Sequence, residues 1–87
     1  MTLNAIFEAV KFGDTIEIES TNVMAGSAKK RYKVGRKTKL KKGTIEKITL
    51  SNVMNPKGVK SYLYKRNDKV RMAVGDMAAS VKSARII

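Results

Sequence analysis

Residues 29–42 read KKRYKVGRKTKLKK, and the order of these residues decides the fold class. Nine of the fourteen are basic: Lys29, Lys30, Arg31, Lys33, Arg36, Lys37, Lys39, Lys41 and Lys42. Arg31, Lys33, Lys37, Lys39 and Lys41 occupy odd positions; Tyr32, Val34, Thr38 and Leu40 occupy even ones. A strand sends successive side chains to opposite faces. The stretch therefore reads as one or two strands, about 29–35 and 37–41, with a comb of cations on one face and an apolar set on the other. Arg36 breaks the alternation beside Gly35, where a turn or bulge is expected.

The flanking sequence carries the same period. In DTIEIES, residues 14–20, Ile16 and Ile18 alternate with Thr15, Glu17 and Glu19. Residues 43–51 read as a strand whose apolar positions shift from Ile45 to Ile48 and Leu50, which predicts a bulge near Glu46–Lys47. VKSYLYKR and KVRMAVG, residues 59–66 and 69–75, form the clearest hairpin. Asn67 and Asp68 join them, and both tolerate the positive φ of a tight primed turn. Asp76 to Ser80 is read as a single helical turn, and Val81 to Ile87 as a closing strand. At the other end, Leu3, Ile6, Phe7 and Val10 recur at helical spacing within residues 2–11. Thr2 or Asn4 is the expected cap, Gly13 the stop, and the apolar stripe the plug of a barrel end. The expected fold is mainly β: one domain over residues 1–87, a short N-terminal helix and a small bent barrel of five or six strands over 14–87. A faint repeat at an offset of thirty, from Asn22-Val23-Met24 and Tyr32 to Asn52-Val53-Met54 and Tyr62, is read as coincidence.

Composition narrows the function. The chain has 87 residues and neither Cys nor His, so disulfides, thiol chemistry and the usual zinc sites are excluded. The seven acids are scattered, with no catalytic pair among them, and no cofactor or metal site is expected. No apolar run reaches the roughly 18–20 residues that cross a bilayer, and the N-terminus lacks the basic region of a signal peptide. A cytoplasmic protein without a membrane partner is the expectation, nucleoid-associated if bacterial or phage. Nineteen Lys and Arg against seven acids leave a net charge of +12, which calls for a polyanion.

GDTIEIES followed by KKGTIEKI resembles the KOW motif of SH3-like barrels. In that family Gly-Asp opens the first strand and a later Gly precedes spaced β-branched residues. Gly13, Asp14, Ile16 and Ile18 match the first half; Gly43, Ile45 and Ile48 match the second. The connection between the halves is longer than in the family, because the basic stretch lies there. KOW-type domains occur in ribosomal proteins, transcription elongation factors and small phage proteins. The resemblance implies nucleic acid or a transcription complex as partner.

The comb itself points to phosphate. Same-face residues on a strand repeat at about 6.8 Å, so successive cations can address phosphates along a groove wall. Lys lacks the planar fork that reads guanine, so backbone grip with little base readout is expected; the comb along a groove wall puts duplex DNA ahead of RNA. Arg31 and Arg36 are the candidates for groove insertion. Lys60, Lys65 and Arg66 are secondary contacts. Tyr62 and Tyr64 share the strand face opposite Leu63. They would stack on unpaired bases if exposed, but in a chain with five aromatics they are assigned to the core or rim. Two alternatives are an RNA- or ribosome-associated protein, and a basic module docking on an acidic face of a polymerase or nuclease. Loops at Met24 and Met54 would be the contacts of the latter.

Overall fold

Alternating sequences that bury one face need a partner sheet, and here the sheet closes on itself. A computed structural model describes residues 2–22, 26–40, 45–75 and 77–87. Among them, a helix α1 (Leu3–Ala9) precedes strands β1 (Thr15–Asn22), β2 (Gly26–Leu40) and β3 (Ile45–Asn52). Strands β4 (Ser61–Arg66), β5 (Lys69–Val74) and β6 (Met77–Ile86) follow. Each strand pairs antiparallel with its neighbour in sequence, and β6 pairs with β1 to close a six-stranded barrel. The architecture is compatible with the small SH3-like and OB-like barrels. Closure removes the unpaired edges that a short sheet would expose.

The inward positions form the core. Ile16, Ile18, Tyr32, Val34, Ile48, Leu50, Leu63 and Met72 are buried, joined by Ile6, Phe7 and Val10 from the N-terminal segment. Each large side chain buried in this way stabilises the fold by about 1.5–3 kcal/mol. Thr2 caps α1: its Oγ1 accepts the Ala5 N–H at 3.1 Å. The buried Ile6 and Phe7 set the helix against β4, β5 and β6, closing one barrel end. The helix stops at Val10, which is already extended, so Gly13 is not its terminator. Gly13, at φ +93°, instead makes the turn into β1, where its N–H donates to the Val34 carbonyl at 2.9 Å. Among the described residues no helix is long and apolar enough to cross a membrane.

Register corrects four expectations. On β2, Val34 pairs with Leu50 and Lys37 with Ile48, so three residues span what two span on β3. The bulge at Gly35–Arg36 is present, and it reverses the alternation beyond it. Laterally paired residues share a face. Lys37 and Lys39, opposite Ile48 and Glu46, therefore turn toward the helix-capped end, while Arg31 and Lys33 point outward. The expected single comb is split between two faces. β3 itself runs against β4 without a shift, so there is no bulge at Glu46–Lys47; Ile45 simply takes the outer register opposite Arg66. Residues 77–80 are strand rather than a helical turn, because pairing of Met77 with Val74 starts a ladder with β5 there. Asp76 lies outside the described residues. The tyrosines are corrected as well. Tyr62 and Tyr64, opposite Ala73 and Arg71, are half-buried on the outer wall, and the core takes only Phe7 and Tyr32 of the aromatics.

Candidate nucleic-acid interface

The predicted binding residues fall into three places. Lys29, Arg31, Lys33 and Arg36 are exposed on the outer wall of β2. Lys37, Lys39 and Lys65 gather at the helix-capped end. Lys30 takes the inward register at the opposite end, where it lines a hollow floored by Tyr32, Ser61 and Ala79. Lys60 precedes β4 and Arg66 ends it, both exposed. Lys41 and Lys42 lie outside the described residues, as do Met24 and Gly43.

At the helix-capped end the cations have local partners. Lys65 Nζ donates to Glu8 Oε1 at 2.9 Å, with the Lys65 side chain 18% exposed. That hydrogen bond, with the charge of Lys65, holds the Glu8 carboxyl below its ordinary range and lifts the Lys65 ammonium above its own. Lys37 Nζ donates to the Glu8 carbonyl at 3.2 Å and stands 5.9 Å from the Phe7 ring centroid. Lys39 pairs across β3 with Glu46, which is in turn opposite Lys65. Lys37 and Lys65 fasten α1 to the barrel.

The outer wall divides by charge. β1 presents Glu17 and Glu19. Glu17 accepts from Arg85 Nε at 3.0 Å and from Arg31 Nε at 3.4 Å. The hydrogen bond from Arg85, then that from Arg31, lowers its carboxyl against the opposing effect of desolvation. Glu19 stands opposite Lys29. The wall from β2 to β5 differs. Past Lys29 and Arg31, which stand opposite Glu19 and Glu17, its outward positions among the described residues hold six cations, Lys33, Arg36, Lys47, Arg66, Lys69 and Arg71, and no acid. Glu46 takes the inner register and Asp68 sits in the β4–β5 turn.

No protein-family model, curated protein or solved structure matches this chain.

Three cations of the acid-free wall, Lys47, Lys69 and Arg71, are missing from the sequence expectation, which weighed the density of charge in one stretch. The signal that finds them is the two-residue turn. Asn67 and Asp68 at φ 51° and 63° make Arg66 face Lys69, and Arg71 and Tyr64 then stand opposite one another. Lys47 extends the same lateral row from β3, and its Nζ lies 3.9 Å from the Tyr62 ring centroid. Neighbouring strands are about 4.8 Å apart, so the arc from β2 to β5 runs roughly 14 Å, half the way round the six-stranded barrel. Its cations curve around the barrel on either side of the tyrosine pair of β4.

Proposed function

We propose that the protein binds nucleic acid without reading its sequence, through the acid-free outer wall of β2 to β5. One observation carries this reading: six outward cations share a wall on which the described residues place no carboxylate. Phosphates supply the neutralising charge, and releasing their counterions drives the association. Lys and Arg spread over a convex wall make point contacts with the backbone, which position a strand and carry little base information. The straight comb was the reason to favour duplex DNA. Divided at Gly35–Arg36, it no longer runs along a groove wall, so the reading extends to nucleic acid in general. A KOW-type origin, with the transcription or ribosomal partners it implies, belongs to the same proposal. Gly13 and Asp14 before β1, with Ile16, Ile18 and Ile48 in the core, support it; Ile45 on the outer register departs from it.

Salt titration of labelled DNA and RNA, single-stranded and duplex, tests the reading. Six phosphate contacts give a log–log slope of about −5 on duplex and about −4 on single strands. Replacing Lys33, Arg36 and Lys47 with Ala flattens the slope by about two to three. Replacing Lys37 and Lys39 leaves it near the parent value. A flat salt response, or a slope governed by Lys37 and Lys39, overturns the assignment of the wall.

A second reading is favoured by the end of the barrel opposite the helix. Val53, Met54, Val59 and Met77 are exposed there beside the hollow that Lys30 lines, with Lys57 and Lys60 nearby. An acidic protein surface with an apolar centre suits that end. This reading gains if nucleic acid fails to bind at about 0.15 M salt.

A further inference from the structure

We propose that Tyr62 and Tyr64 are a stacking platform for unpaired bases, which makes single-stranded nucleic acid the preferred occupant of the wall. The proposal rests on the phosphate reading above. Both rings leave from one face of β4, at positions two apart, while Leu63 between them enters the core. Same-face residues are about 6.8 Å apart, twice the 3.4 Å rise between stacked bases, so each ring can take a base of its own.

The surroundings suit a strand passing over the rings. Lys47 and Arg71 flank Tyr64 on its two sides in one lateral row, and Arg66 and Lys69 form the next row. A hollow of about 480 Å³ lies beside Tyr64, bounded by Arg66, Asn67, Lys69 and Arg71. Its volume falls within the usual range for small-molecule sites. Asn67 brings an amide that can both donate to and accept from a base edge. One face of Tyr62 is occupied by the Lys47 ammonium, 3.9 Å from the ring centroid. A cation over an exposed aromatic face is held less tightly than a stacked base. A base therefore displaces Lys47, which is free to swing to the adjacent phosphate. In a duplex the bases are stacked on each other and present only edges, so the tyrosines gain nothing from it.

The test compares one DNA sequence as single strand and as duplex, with Tyr62→Leu and Tyr64→Leu, which keep apolar bulk, and Tyr62→Phe and Tyr64→Phe, which keep the ring. Thermal melts verify folding of each variant. Each Leu variant is expected to lose about 5- to 150-fold in single-strand affinity and to leave duplex affinity unchanged, while the Phe variants stay at parent level. The chain has three Tyr and no Trp, so quenching of tyrosine emission by the single strand reports stacking on the unaltered protein. Equal losses on single strand and duplex, Phe variants as weak as Leu, or no quenching overturn the platform. If both nucleic acids bind with steep salt slopes and the Leu variants match the parent, the platform alone fails. If neither binds, the phosphate reading fails and the platform with it.

Discussion

Asn4 Oδ1 is the one buried side-chain polar atom without a hydrogen-bond partner among the described residues. An unpaired buried acceptor costs about 1–3 kcal/mol, and Asn in a helix is less favourable than Ala. Asn4→Ala should stabilise the protein by about 1 kcal/mol, read as a melting temperature about 4–8 °C higher. A lower melting temperature would mean that the amide nitrogen holds the helix to the barrel. Glu17 and Glu8 behave differently because their charges are satisfied. The hydrogen bonds from Arg85 and Lys65, the leading causes, favour the ionised form of each carboxyl in the folded chain. Their folded pKa values thus lie below the unfolded ones. The stability they contribute is complete above the ordinary carboxylate range and is lost as pH falls through the folded values. Glu17→Gln and Glu8→Gln should each make the acid limb of melting temperature against pH shallower. An unchanged limb would show that both pairs are fully screened by solvent.

The bulge in β2 is the element on which the placement of charge depends. Its extra residue at Gly35–Arg36 lets Lys33 face outward and Lys37 face the helix from a single strand. A β-carbon on Gly35 would stand 3.1 Å from the Thr49 carbonyl oxygen, so glycine permits the close approach of β3 there. Deleting Arg36 restores strict alternation. It leaves Lys37 opposite Ile48 with its bond to the Glu8 carbonyl, because two residue steps from Val34 then match the two from Leu50 to Ile48, and it removes the bend and one outward cation. We expect a destabilisation of about 1–3 kcal/mol in chemical denaturation from the lost bend; parent stability would show that barrel closure does not need it. The position of this bulge was legible in the sequence, because Gly35–Arg36 interrupts a clear period. Its effect on the following lysines was legible too, but only if the period is restarted after the interruption. The hairpin of β4 and β5 was read correctly, since Asn67–Asp68 fixes pairing over a short range. Residues 77–80 were misread because small residues carry no strong local preference and take the conformation that the ladder with β5 offers. Scarcity of aromatics assigns Tyr62 and Tyr64 to the core or rim. Yet Ile16, Ile18, Ile48, Leu50, Leu63 and Met72 fill so narrow a barrel, and Leu63 between the rings already fixes them outward. Of the apparent repeat, Ile18 and Ile48 both enter the core, whereas Tyr32 faces in and Tyr62 faces out.

At the scale of the whole molecule, +12 charges sit on a body of 32 × 27 × 26 Å. Among the described residues the acids gather on and before β1, at the helix-capped end and in the β4–β5 turn, so the outward cations from β2 to β5 repel one another. Salt then acts in two opposite ways. For the free protein, added salt shortens the screening length from about 10 Å at 0.1 M to about 3 Å at 1 M, which weakens repulsion between neighbouring outward cations. The melting temperature of the free protein should therefore rise with salt. A bound polyanion removes the same repulsion directly, and at a ligand concentration one hundred times Kd it adds about 2.7 kcal/mol. For a domain of this size that corresponds to a rise of roughly 10–20 °C. Salt dissolves that complex by restoring counterions to the phosphates, so the stabilisation by nucleic acid should shrink as the free protein gains. The two melting curves, with and without single-stranded DNA, should converge from opposite directions as NaCl is raised. A free protein that melts lower in salt would mean that the Glu8 and Glu17 ion pairs outweigh the repulsion, and that the cationic wall needs no anion to be stable.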